Sequence, residues 1–282
     1  MPYIVITHAG KAHIDEILAA AVLAVYRNEY PLEIRRLDPQ VVEKMVLDEM
    51  VPENSWVIDC GHVYNPGRRH FDHHQNGALP SSALMVFNHL FPELEGSSLH
   101  RYFELVSKVD TQGACSLDDY ERVSDSRDYW GFSQEILTKL FEEDSLAVLG
   151  VYVRGLKGKI ELEEMKESAA EWVDFPGNIS TEVVKGLTVL NYTKRPPIEL
   201  FDGLNAIYRD IIEQNSAAAV YGHDKTDPSV RTLYRTDFGR DVLDFSKAIP
   251  GNALFKHQSG FLVKFIPTDE NEWKRILASS LA

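Results

Sequence analysis

The chain has 282 residues, 44% of them hydrophobic, and a net charge of −14, which is enough apolar material for a sizeable core or two and makes two domains the default. That acidity excludes a protein that coats duplex nucleic acid, since neutralising phosphate needs clustered Lys and Arg, but leaves short oligonucleotides and nucleotides open. Cys60 and Cys115 are the two cysteines, and without CxxC spacing they exclude a zinc ribbon or a disulfide framework.

No signal-peptide pattern opens the sequence and no apolar run is of bilayer length, so a soluble, cytoplasmic protein without membrane contact is expected. Residues 3–7 are a short β-branched run ending at His8. After the HAGKAH stretch, residues 15–27 turn Ala- and Leu-rich with acidic residues at their start, so the order strand, loop, helix is expected. Residues 32–37 read as a second strand, 40–50 as a helix, and 55–59 as a third strand closed by Cys60 and Gly61. This alternation predicts an α/β domain with a largely parallel sheet flanked by helices. His8 and Asp59 then both sit where a strand runs out, the place where open α/β sheets have their ligand crevice.

Helices are expected over 81–91, 100–109, 136–143 and 161–172. Beyond them come a strand over 186–191, an amphipathic helix over 198–214, strands over 217–222, 230–237 and 260–266, and a closing helix from Asp269. The predicted organisation is an α/β domain over 1–150, a helical connector over 151–190 and a smaller α/β domain over 191–282. Residues 196–282 hold 10 Lys and Arg against 12 Asp and Glu, so the last third is the less repulsive surface for an anion.

Seven of the ten histidines lie within the first 89 residues, interleaved with aspartates in THAGKAHIDE, VIDCGH and RRHFDHHQN. Scattered structural histidines would not cluster so. Imidazole and carboxylate without thiolate suit manganese, cobalt, iron or zinc better than calcium. His13 and Asp15, at i and i+2 in a loop entering a helix, can point toward different metals, and Asp59 at a strand end can bridge the pair. Asp15 also gains from lying at a helix N-terminus. Three consecutive side chains cannot all turn to one ion, so in the Asp72, His73, His74 run the metal role goes to His73. Asp72 is left to orient an imidazole, and His74, with Arg68 and Arg69 nearby in sequence, to meet a phosphate oxygen.

With these residues in view the sequence resembles the DHH phosphoesterase superfamily, and within it the Myg-type branch of predicted metal-dependent hydrolases and RNA exonucleases. The likeness rests on THAGKAHIDEILA, VIDCGHVYNPGRRHFDHHQ followed by SSALMVFNHLF, VSKVDTQG around Asp110, and IPGNALFKHQSGF, and so spans nearly the whole chain. The resemblance implies one metal on His8, His13 and Asp59 and a second on Asp15, the shared Asp59, His73 and Asp110, with His74 on the substrate phosphate. It also implies a C-terminal domain in which His257, Gln258, Ser259 and Gly260 face the metal cleft, with Ser259 and Gly260 backbone groups cradling an oxyanion. Lys11, Ala12 and His62 depart from the branch's usual residues without removing a ligand.

The catalytic set is therefore Asp59, His73, His74 and Asp72, the substrate set His74, Arg68, His257, Gln258, Ser259 and Gly260, and the cofactor two divalent ions, manganese first, with cobalt, iron, zinc or magnesium also compatible. Three carboxylates around two such ions leave a single positive charge, which a bridging hydroxide, a usable nucleophile at neutral pH, would cancel. The expected activity is phosphodiester hydrolysis, as a 3′-5′ exonuclease or short-oligonucleotide hydrolase. The partner is then a small phosphorylated substrate or short RNA or DNA, with a homodimer left open. The alternatives are a pyrophosphatase or cyclic-dinucleotide phosphodiesterase, and a non-catalytic nucleotide- or metal-binding module. Nothing matches HExxH, which sets amide hydrolysis aside.

Overall fold

The run that ends at His8 forms β1 (Ile4–His8), a strand of a five-stranded sheet ordered β2-β1-β3-β5-β4. The computed structural model describes residues 2–113, 136–247 and 253–281, and divides into units Met1–Glu161 and Leu162–Ala282. β2 (Glu33–Leu37) and β3 (Ser55–Ile58) pair parallel with β1, and β5 (His70–Phe71) pairs parallel with β3. β4 (Tyr64–Asn65) closes the edge antiparallel to β5, which makes the sheet mixed.

Parallel neighbours need crossovers, and α1 (Ile14–Arg27) and α2 (Pro39–Leu47) supply them on opposite faces. α1 buries every residue from Asp15 to Ala24 because it is covered twice, by the sheet and by α3 (Ser82–Leu90) and α4 (Ser98–Gln112). Leu18, Val22, Phe71, Phe87 and Phe103 meet in that core, while Ile6, Val42, Val46, Val57 and Cys60 meet on the α2 side. α2 is shorter than the 40–50 expected: Asp38 caps it by accepting from the Gln40 N–H, Pro39 opens it, and Glu49 at φ 55 lies beyond its end. Residues 136–143 are helical (α5), and Phe141 packs there on Ala12 and Ile17. Cys60 is buried, and Cys115 lies outside the described residues.

The helical connector expected over 151–190 is helical as far as Asp174, and two regular elements cover the range. One is the remainder of a 30-residue helix, α6 (Ser145–Asp174). The other is a hairpin of β6 (Ile179–Val184) and β7 (Leu187–Tyr192), turned at Lys185 and Gly186 with φ 54 and 80. Positive φ at both turn residues gives the twist that two antiparallel strands need, so this Lys-Gly pair marks a hairpin and not a linker.

The second unit is a six-stranded sheet in the order β10-β11-β9-β8-β7-β6, with only the β7–β8 pair parallel. Its later strands are β8 (Ala219–His223), β9 (Arg231–Arg235), β10 (Ala253–Lys256) and β11 (Leu262–Phe265). α7 (Phe201–Asn215) packs on one face through Leu204, Ile211 and Ile212, and α8 (Glu272–Ser279) on the other through Trp273, Ile276 and Leu277. Among the described residues no helix is long and apolar enough to cross a membrane.

Candidate metal centre

The turn after β3 does the first work of building the site. Asp59, Gly61 and His62 all have positive φ, at 58, 94 and 55, a conformation that costs a non-glycine residue of order 1 kcal/mol. A β-carbon on Gly61 would come 3.0 Å from Val46 Cγ2, so glycine is needed there for space as well as conformation. The result is an Asp59 side chain only 1% exposed, set at the strand end between His8, which ends β1, and His73, which follows β5.

Asp59 Oδ2 lies 3.4 Å from His8 Nε2, and Asp59 Oδ1 lies 3.2 Å from His73 Nε2. His73 Nε2 is also 3.2 Å from Asp110 Oδ2 on α4, and the His8 and His13 rings are 5.2 Å apart. Possible ligand atoms fall into three overlapping groups, each within 4.8 Å: His8, His13 and Asp59; Asp59, His73 and His74; and Asp15, His73 and Asp110. The structure thus brings all six expected ligands together, with Asp59 and His73 each common to two groups. It also places His74 at ligand distance, where a phosphate contact alone had been expected.

Asp15 is the deepest of them. Both of its oxygens accept backbone hydrogen bonds from the start of α3, from Ser82 N at 2.9 Å and Ala83 N at 2.8 Å. Burial, then the charges of Asp59 and Asp110, push its pKa well above the carboxylate range. Burial pushes Asp59 the same way, but the His73 and His8 imidazoles outweigh it and hold Asp59 at about 2. In return Asp59 raises His8 to about 9 against its own burial, and Asp110 and Asp59 raise His73 to about 10.

Three carboxylates converging in a buried space repel one another unless cations stand among them, and here the imidazoles take that part. Their fit is incomplete. Asp59 Oδ2 and His73 Nε2 are fully buried, yet neither has a hydrogen-bond partner of proper geometry among the described residues. Buried polar atoms left so are uncommon. A carboxylate oxygen and an imidazole nitrogen, each aimed into a pocket of further nitrogen and oxygen donors, are what divalent transition ions take, so the residues present fit the metals expected.

Asp72 is fully buried and does not join the ligand groups. Its carboxylate accepts from His62 N at 2.6 Å, His74 N at 3.1 Å and His74 Nδ1 at 2.7 Å. Burial works against its ionisation, but these bonds outweigh it and leave its pKa below the ordinary value. Asp72 therefore fixes both the turn and the imidazole beside it, and His74, 48% exposed, keeps Nε2 for a ligand.

A model of an uncharacterised protein family (UPF0160), the MYG1 exonuclease model, matches residues 4–89. The matched segment is MYG1-like. A MYG1 protein of Chlamydia pneumoniae is 32% identical over 139 residues, 43% of this chain and 44% of that protein. The MYG1 exonuclease of Rattus norvegicus is 42% identical over 72 residues, 24% of this chain and 16% of that protein. The chain thus spans less than half the length of either curated relative it matches. These matches make part of the chain similar to MYG1 proteins, and the segment the family model matches holds every clustered residue named above except Asp110.

Two further residues of this segment belong to the site without having been singled out from sequence. Glu16, fully buried, accepts hydrogen bonds from the Thr7 hydroxyl, from His13 N at 3.0 Å and from Arg36 Nη2 at 3.3 Å, and lies 3.7 Å from His8 Nε2. Arg36 also donates to the Gly10 carbonyl at 3.2 Å. Together they hold the loop that carries His13 against the strand that carries His8. A signal was available: Glu16 stands three residues after His13 at a helix start, the spacing at which a side chain reaches back to the cap N–H.

The remaining expected site residues belong to other elements. Arg68 is not in the cluster: it pairs with Glu49 at 3.0 Å near the start of β5, the opposite end of that strand from His73. His257, Gln258, Ser259 and Gly260 form the turn between β10 and β11 of the second unit. Ser259 N and its hydroxyl both meet His257 Nδ1, at 3.2 and 2.7 Å, and Gly260 N donates to the His257 carbonyl at 2.9 Å. The two N–H groups expected to cradle an oxyanion are thus already engaged inside the turn. Gly260 is needed there for another reason, because at φ 68 a β-carbon would collide with Asp244.

Proposed function

We propose that this chain is a metal-dependent phosphoesterase that hydrolyses phosphodiesters in short oligonucleotides from the 3′ end. The observation that carries the reading is the shared position of Asp59. One carboxylate with two buried oxygens stands between a His8–His13 group and a His73–Asp110–Asp15 group, inside a segment similar to proteins named MYG1 exonuclease.

His8, His13 and Asp59 would hold one ion, and Asp15, Asp59, His73 and Asp110 the other, with His74 at their edge. Divalent ions held there would supply Lewis acidity and a water nucleophile at neutral pH, and manganese suits the donor set. The protein's own part is positional. Asp72 locks Nδ1 of His74, so that Nε2 donates to a non-bridging phosphate oxygen and turns the phosphorus toward the metal-binding face. Glu16 and Arg36 keep His8 and His13 at the spacing the first ion needs. The acidic surface disfavours long duplexes and tolerates a short single strand, whose fewer phosphates meet less repulsion. The turn of His257, Gln258, Ser259 and Gly260 would meet the substrate through side chains, given that its N–H groups are engaged.

The test is to strip the protein, add manganese, count bound metal by elemental analysis, and assay a short RNA labelled at either end beside pyrophosphate and a cyclic dinucleotide. Metal uptake with 3′-end shortening of RNA, both lost in a folded Asp59→Asn variant, is the expected result. Turnover of RNA that survives Asp59→Asn, or metal uptake with no turnover of any substrate, would overturn the proposal, the latter in favour of a binding module.

A further inference from the structure

At the far end of the first unit's sheet from the metal centre, a cavity of about 360 Å³ opens where β3 and β5 begin and α2 ends. Ser55, Val57 and His70 face the α2 side, since Val57 pairs with His70 in register and Ser55 lies two residues before Val57. α2 stops at Leu47, so Val46 is the last helical side chain to cover that face and the floor beyond it is left open.

That floor is polar and unsatisfied. Ser55 and His70 are 2% and 6% exposed, and Ser55 Oγ and His70 Nδ1 are both buried without a hydrogen-bond partner among the described residues. One such atom is uncommon, and two in the same cavity wall call for a ligand that accepts or donates there. Arg68 and Arg69 stand at the rim. Arg69 is held in place by its bond to the Glu53 carbonyl at 3.0 Å and by stacking over Trp56, while the Arg68 guanidinium makes an exposed pair with Glu49.

We propose that this cavity is a binding site for a small oxyanion, such as a phosphate group, held by the Arg68 and Arg69 guanidiniums at the rim and by Ser55 Oγ and His70 Nδ1 at the floor. Burial, then the charge of Arg68, lowers the His70 pKa, so the Arg68 charge reaches the floor. The Glu49 carboxylate is already paired with Arg68, and the α2 C-terminal carbonyls of Lys44, Met45 and Val46 are taken by Asp48, Met50 and Glu49 N–H groups, which blunts the helix's negative end. A phosphate offers acceptors for both guanidiniums and both floor groups at once.

The experiment follows the His70 ring resonance in histidine-labelled, metal-stripped protein during titration with inorganic phosphate and, separately, with a nucleoside 5′-monophosphate. A saturable shift is expected, weakened about tenfold in Arg68→Gln, the loss of one charged hydrogen bond. Ser55→Ala should weaken it as well, and Asp59→Asn should leave it unchanged. Equal binding of both probes means that the oxyanion alone is read, and tighter binding of the monophosphate identifies a nucleotide as its source. Absence of saturation with either probe, or affinity that is indifferent to both Arg68→Gln and Ser55→Ala, would overturn the site. Arg68 is exposed, so its variant tests the proposal even if Ser55→Ala fails to fold.

Discussion

Replacing Glu16 by Gln separates a positioning role from a ligand role at the metal centre, and its size can be worked from the contacts. The change keeps the shape of the side chain and removes its charge. Arg36, 13% exposed, then loses the carboxylate it meets at 3.3 Å, while the Thr7 hydroxyl and His13 N–H lose a charged acceptor for a neutral one. Breaking a buried pair by neutralising one partner costs about 3–5 kcal/mol. The pair here is long, and Arg36 keeps the Gly10 carbonyl and the face of Phe141, so about 3 kcal/mol is expected. For a unit of this size that is a drop of roughly 6–12 °C in Tm, read by differential scanning calorimetry on metal-free protein. Because the lost contacts hold His8 and His13 and not His73, calorimetric titration with manganese should show one site weakened and the other kept. Glu16→Gln/Arg36→Met should regain part of the stability, since no unpaired cation is left, without regaining the weakened site. A Glu16→Gln protein within about 0.5 kcal/mol of the parent, the ordinary range for surface changes, with both metals bound as before, would refute the assignment.

Asp59→Asn should go further and impair both metal positions, since its two oxygens face different histidines; elemental analysis after manganese loading would show it. In metal-free protein His8 and His73 are raised to about 9 and about 10. Their folded values exceed the unfolded 6.5, so their contribution to stability is fully present below pH 6.5 and is lost as pH rises through 9 and 10, and urea midpoints at pH 7 and pH 10 should differ in that direction. Metal uptake at neutral pH should release protons from the same imidazoles, which titration in buffers of different ionisation enthalpy would detect. In the second unit, a β-carbon at Gly203 would overlap the Met165 carbonyl of α6, so Gly203→Ala should lower the thermal stability of that unit by about 1–3 kcal/mol or more and leave the metal affinity of the first unit unchanged.

Much of the first unit could be read in the order of its residues. A β-branched run, a loop and an apolar helix with acidic start are local patterns, and β1 and α1 form where those patterns stand. The short strands β4 and β5 carried no such pattern, because two-residue strands have no period to read; β5 exists only because β3 offers it a parallel edge. The hairpin at Lys185–Gly186 has no signal in the residues before it, since Ile-Ser-Thr-Glu-Val-Val over Ile179–Val184 has no period of two and becomes a strand only by pairing with β7.

Most of the candidate donors could be picked from sequence, because metal chemistry selects residue types and no other segment of the chain concentrates His with Asp as residues 8–74 do. Which donors share a position was decided only in three dimensions. Asp59 comes to stand between His8 and His73 because β1, β3 and β5 are neighbours in the sheet and because a left-handed backbone at Asp59 turns its carboxylate inward. Asp15 is drawn to the N-terminus of α3, 67 residues away in the chain, by two backbone hydrogen bonds that sequence spacing does not encode. Arg68, five residues before His73, is carried to the other end of the sheet because a strand intervenes, and a strand sends its two ends apart.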